Sequence, residues 1–253
     1  MSVKYLKITM FLLMFVVIGT FGCNKSNEYN DDYWSCEQLI DTYGLELYPF
    51  VPFTDEEWRA MSYDYKVERR QIPQDYLHKM TTKELLYQYA NTDLSQSIFL
   101  FNSLYFGFRA SINQFNMLPE LLNRPDAGKV IVEILKKVDI TRIEKDCYQW
   151  YCFLQMIAAQ PEIINGMTDA DIDKYIFYQK RCHDAIQELS TINNERWAYP
   201  RSAELILIGF CNVMIRYEFK PFKQLLELNP NCEYCVSYDL IIDCIEKFII
   251  RKK

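Results

Sequence analysis

The stretch FTDEEW, Phe53 to Trp58, decides the fold. Thr54 followed three residues later by Glu57 is a capping box, in which the hydroxyl accepts a backbone N–H of the first turn and the carboxylate reaches back to the cap's own N–H. Phe53 before it and Trp58 after it are spaced as a hydrophobic staple. The device serves only a helix start, because only there do backbone N–H groups lack a partner within the helix. It recurs at Thr81 and Glu84, with Met80 and Leu85 as the staple, and at Thr168 and Asp171, with Met167 and Ile172. Thr141 and Glu144 make a further box without a staple. Four such starts predict an all-α chain.

Outward from these starts, apolar spacing and prolines place helices near 55–61, 63–70, 74–79, 82–91, 93–108, 119–123, 126–138, 142–159, 169–190, 200–218, 221–228 and 238–250. A short helix within 33–43 precedes an extended arm, LELYPFVPF at 45–53, whose Pro49 and Pro52 exclude helix and central strand. Its apolar side chains are expected to lie against the body, since large apolar patches are uncommon on soluble surfaces. No sustained period-two alternation predicts a strand. Seven glycines in 253 residues are too few for a hairpin-rich fold.

Ser97–Phe108, Cys147–Ala158 and Leu205–Ile215 are apolar on more than one face, which places them in the middle of the structure. Eleven residues of helix span only about 17 Å, so the last of these is not a membrane span. Two outer stripes are amphipathic: Ile172, Tyr175, Ile176, Cys182 and Ile186; and Ile241, Cys244, Ile245, Phe248 and Ile249. The stretch LPELLNRPDAGKVIVEIL at 118–135 resembles one unit of a HEAT- or armadillo-type helical repeat, with Pro125-Asp126 as the turn. A stack of antiparallel helical hairpins, extending to an α–α superhelix, fits this spacing, and an irregular helical domain fits it too.

The amino-terminal end carries Lys4 and Lys7, then the apolar run ITMFLLMFVVIG at 8–19, then Gly22-Cys23. That order reads as a secretory signal peptide, too short to span a bilayer. The Gly22-Cys23 end resembles the lipobox of bacterial lipoproteins, with Thr20 and Phe21 departing from the usual pattern. The resemblance implies that residues 1–22 are a signal peptide cleaved before Cys23 and that Cys23 is then acylated, which leaves a lipidated polar tether (23–35) and one all-helical domain (36–253). It places the protein in the cell envelope, lipid-anchored to the outer membrane. The stretches Met61-Ser62-Tyr63, Gln71-Ile72-Pro73, Met80-Thr81-Thr82-Lys83-Glu84-Leu85, Phe108, Phe115-Asn116, Leu121-Leu122 and Asp126-Ala127-Gly128 resemble an uncharacterised family of exported all-helical lipoproteins of Bacteroidetes-type bacteria. This resemblance implies an exported helical protein and no catalytic residues.

Removing residues 1–22 takes two lysines and no acid from 28 basic and 34 acidic residues, leaving a net charge of −8. That excludes a nucleic-acid partner, which needs a basic face. Nine cysteines enter an oxidising compartment if the chain is exported, so disulfides are open to it. Cys147, Cys182, Cys211 and Cys244 fall on apolar stripes, where a free thiol serves as a small hydrophobe.

Chemistry-bearing motifs are sparse. Cys232-Glu233-Tyr234-Cys235 lacks both the βαβ setting of a redox site and the further ligands of a zinc site, so no metal is expected there. Cys182 and His183 are adjacent on a helix and point in different directions, which argues against a nucleophile–base pair. Asp169, Asp171 and Asp173 begin like a calcium loop, but Lys174 and Lys180 stand where Gly and Glu are required; they suit a helix N-terminus instead. No catalytic residue and no cofactor is predicted. Trp197, Tyr199 and Arg201 form the best exposed aromatic-plus-arginine candidate for a binding face. The expected function is a lipid-anchored binding module for a protein or glycan. A carboxylate-based envelope hydrolase and an immunity-type, toxin-neutralising lipoprotein are the alternatives.

Overall fold

In a computed structural model the described residues are 34, 36–92, 98–142, 145–192, 199–228 and 238–252. Among them are fourteen α-helices and no strand, as the capping boxes predict. In chain order these are α1 (Cys36–Ile40), α2 (Asp55–Ala60), α3 (Tyr63–Glu68), α4 (Gln74–Leu77), α5 (Thr82–Ala90), α6 (Leu104–Ser111), α7 (Met117–Leu122), α8 (Ala127–Lys137), α9 (Lys145–Ala158), α10 (Pro161–Gly166), α11 (Asp169–Ile192), α12 (Tyr199–Arg216), α13 (Lys220–Glu227) and α14 (Tyr238–Lys252). The signal peptide and lipidation site expected at 1–23 lie outside the described residues, as do Trp197, Cys232 and Cys235.

Two starts carry the full box. The Thr54 N–H donates to Glu57 Oε2 at 2.9 Å and the Glu57 N–H to Thr54 Oγ1 at 3.2 Å. Thr81 and Glu84 repeat this at 2.6 and 3.2 Å. At α11 the Asp171 N–H donates to Thr168 Oγ1 at 3.2 Å, and the hydroxyl donates on to Asp171 Oδ2. Thr141 behaves otherwise. Its N–H and hydroxyl both donate to Asp139 Oδ1, and it sits in a 3₁₀ turn, Ile140–Arg142. The helix behind it begins at Lys145 instead. Glu144, the other half of the expected box, lies outside the described residues.

α9 and α12 occupy the middle, as their all-round apolar character requires. Cys147, Trp150 to Leu154 and Met156 to Ala159 are buried, as are Leu205 to Ile208, Phe210, Cys211, Val213 and Met214. Each buried Leu, Ile or Phe is worth about 1.5–3 kcal/mol against exposure. Both amphipathic stripes, on α11 and α14, face this core. Tyr89 of α5 makes edge-to-face contacts with Phe108 and Phe153, both at 5.8 Å between centroids.

Helix ends buried in such a core leave carbonyls that water cannot reach. Here they are met by side chains arriving from later helices. The Tyr175 hydroxyl donates to Ala158 O at 3.1 Å and Asn212 Nδ2 to Ala159 O at 2.8 Å, closing α9. Arg181 Nη2 donates to Leu135 O and Val138 O at 3.1 and 2.8 Å, closing α8. Arg216 donates to Ile164 O at the end of α10, and Arg124 Nη2 to Leu77 O at the end of α4. α7 and α8 flank the turn expected at Pro125-Asp126, where the Thr82 hydroxyl of α5 donates to the Asp126 carboxylate.

The proline-rich arm packs as expected. Its backbone donates from Glu46 to Glu84 Oε1 and from Tyr48 to Gln88 Oε1, at 2.9 and 2.6 Å. Tyr48 meets Tyr76 at 5.1 Å, edge on. Beyond it the Arg70 guanidinium, buried, lies 5.0–5.3 Å from the rings of Phe50, Phe53 and Trp58. Cation–π attraction therefore ties the arm to α2 and to the end of α3.

Candidate functional site

The sequence places Ser97–Phe108 inside, as one helix. The structure corrects this. Residues 98–100 form a 3₁₀ turn, 101–103 bend, and α6 starts only at Leu104. Ile98, Leu104, Tyr105 and Phe108 are buried, but Leu100 is 86% exposed, Phe106 56% and Phe101 44%. The turn folds back onto α6 at Gly107. A Cβ there would sit 2.9 Å from Phe101 Cδ2 and 3.0 Å from Ile98 O, so only glycine admits this approach. Periodicity alone could not show it, because the pattern of a folded-back turn and of a buried helix is the same run of apolar residues.

A half-open cavity of about 290 Å³ lies beside the turn, lined by Tyr63, Leu100, Phe101, Gly107, Ala110, Ser111 and Gln114. Its polar rim is built. The Tyr63 hydroxyl donates to Gln114 Oε1 at 2.7 Å, and Gln71 Nε2 donates to the Gln114 carbonyl at 2.7 Å. The floor is tied inward by the Ser111 hydroxyl, which donates to Phe108 O at 2.7 Å. On the other side Phe99 stacks edge-on against Phe153 of α9 at 5.5 Å.

Arg201 is not the exposed anchor that the sequence suggests. It is half-buried, and its Nη1 donates to Phe99 O at 3.3 Å. One turn further along α12, Glu204 Oε1 accepts the Ser103 hydroxyl at 3.0 Å. The amino-terminal end of α12 thus holds both ends of the 99–103 segment and presents Leu100 and Phe101 outward. Tyr199 opens α12, but its side chain, like Trp197, lies outside the described residues. The structure brings Arg201 to an apolar surface as its support. The signal that finds this surface from sequence is a glycine within an over-apolar helix, Gly107.

No nucleophile is poised elsewhere among the described residues. Cys182 is buried, whereas His183 has Nδ1 3.6 Å from Asp184 Oδ1. Burial pushes the Cys152 thiol up to about 12 and holds His183 below its ordinary value. Both shifts favour inert neutral groups. The three acids at the start of α11 diverge: Asp169 accepts from the Tyr217 hydroxyl at 2.5 Å, Asp171 takes the Thr168 hydroxyl, and Asp173 pairs with Lys252 at 2.6 Å. They share no centre, and no group of three metal-ligating side chains gathers among the described residues.

Among the described residues the free thiols are Cys152, Cys182, Cys211 and Cys244, all buried. Cys147 departs from the expectation of a packed free thiol: it is disulfide-bonded. An apolar stripe position does not distinguish the two, because a half-cystine is as apolar as a thiol. No family model, curated protein or solved structure matches this chain.

Proposed function

We propose that this chain is a lipoprotein of the bacterial cell envelope, acylated at Cys23 and held to the outer membrane, whose helical body binds another polypeptide. It fits the exported all-helical lipoproteins that its sequence resembles. The observation that carries the binding reading is the outward face of the 98–106 segment. A core-forming run spends three large apolar side chains on solvent, and a glycine, an arginine and a glutamate hold them there. Apolar residues rimmed by polar ones beside a shallow cavity are what a protein partner takes up. The disulfide at Cys147 supports an oxidising compartment.

The test has two arms in one bacterial host. The full-length protein is grown with an alkyne fatty acid, and labelling is expected for the wild type and absent from Cys23→Ala. In the same cells a photo-crosslinking amino acid at position 106 is expected to yield a discrete polypeptide adduct that Leu100→Asp abolishes. The same probe at exposed Glu133 of α8 gives none. An unlabelled wild type overturns the anchor; identical products at 106 and 133 overturn the binding face.

A further inference from the structure

The end of α14 meets the end of α12. The Phe248 ring lies 5.6 Å from Tyr217 and 5.2 Å from Phe219, and Lys252 Nζ sits 4.5 Å over the Tyr217 ring. α14 also packs along α12, so the turns that precede Phe248 lie beside the turns that precede Tyr217. Cys244 stands four residues before Phe248 and Cys211 six before Tyr217, which at 1.5 Å per residue is about 6 and about 9 Å back along each helix. Both thiols therefore come to the same level, within about 3 Å along the axis, and both are buried in the apolar seam with Ile241 and Ile245. The other two free thiols among the described residues, Cys152 and Cys182, lie on α9 and α11.

We propose that Cys211 and Cys244 are a redox pair that closes into a disulfide, stapling the carboxy-terminal helix to α12.

The chemistry needs an oxidant, and a low-molecular-weight or protein disulfide supplies it. Cys244 gives up its proton, attacks one sulfur of the external disulfide and releases the first thiolate. Cys211 then loses its proton and attacks the Cys244 sulfur, forming the internal bond and releasing the second thiolate. Two cysteines lose two electrons and two protons, and the oxidant gains both as two thiols. Cys244 acts first because α14 has only to lift at its end to expose it, whereas Cys211 is deep in the central helix. Burial pushes Cys211 up to about 12, and a charge on Cys244 adds to the rise, as two neighbouring thiols require. The pair is independent of the binding face and of the anchor.

Purified full-length protein, reduced and then incubated with oxidised glutathione, is quenched with an alkylating agent and mapped by peptide mass spectrometry. The expected product contains a linked peptide joining Cys211 to Cys244, two hydrogens lighter than the sum of the two free peptides, and leaves Cys152 and Cys182 alkylated once the quenched protein is unfolded in the alkylating agent. Its Tm is expected to rise by about 5 °C or more and to fall back with reductant. Cys211→Ser should stop at a glutathione adduct on Cys244. The wild-type map needs no variant to fold. Recovery of Cys211 and Cys244 both alkylated, or either one linked to another cysteine, overturns the proposal.

Discussion

Gly209 and Tyr175 fit each other at a single atom. A Cβ on Gly209 would lie 2.1 Å from the Tyr175 hydroxyl oxygen, the same oxygen that closes the end of α9 through Ala158 O. Gly209→Ala must therefore move the ring or break that hydrogen bond, and is expected to cost about 1–3 kcal/mol in urea unfolding. Adding Tyr175→Phe removes the atom in conflict, so the double variant should be more stable than Gly209→Ala alone; strict additivity would refute the contact. Neither residue declares this in the sequence. A glycine in a helix reads as a weakness, and a tyrosine on an apolar stripe reads as core. What was legible at this scale was local: Thr54, Thr81 and Thr168 act within three residues of themselves. Arg201, whose partner Phe99 is 102 positions away, was assigned a surface role because nothing near it in sequence shows the carbonyl it meets.

At the level of the elements, boundaries set by caps were read correctly, and those set by tertiary approach were not. α5 and α11 begin where their boxes place them. The helix expected over 93–108 is interrupted over 98–103, where α12 and Gly107 stabilise a turn, while Glu144 of the Thr141 box lies outside the described residues. The apolar spacing predicts no helix between 159 and 169, yet the six-residue α10 forms there, with Pro161 at its first position as suits a helix start. The far end of α12 carries a feature that no pattern foretold. Glu218 has φ of 49°, and the following N–H, of Phe219, reaches back to Met214 O at 3.0 Å in a Schellman closure. Glycine normally holds that left-handed position. Glu218→Gly is expected to stabilise the fold by roughly 0.5–1 kcal/mol, because the backbone strain relieved exceeds the extra entropy of the unfolded chain. The ion pair lost with Lys223 is largely exposed and worth little. Chemical denaturation of the single variant decides the sign.

For the whole molecule, the all-α class was legible because apolar period, caps and prolines agree along the chain. The exposed apolar surface around Leu100 and Phe101 was not, because it exists only where α6, α3 and α12 meet. The side chains that close the helix ends add a constraint of another kind, one of time. The end of α8 waits for Arg181, 46 positions after Leu135; the end of α10 waits for Arg216, 52 after Ile164; and that of α9 waits for Asn212, 53 after Ala159. A chain made or threaded from its amino terminus has none of these donors while its first half emerges. Its buried carbonyls stay unpaired, and the native state gains little until residue 216 is available. A fragment ending at Gln160 is accordingly expected to show helical signal without a cooperative thermal transition, and one ending at Lys220 to recover the transition. Under the export proposed above, the late donors would act as a delay, keeping the chain loose while it is passed through a membrane pore and letting it close only when nearly all of it has arrived.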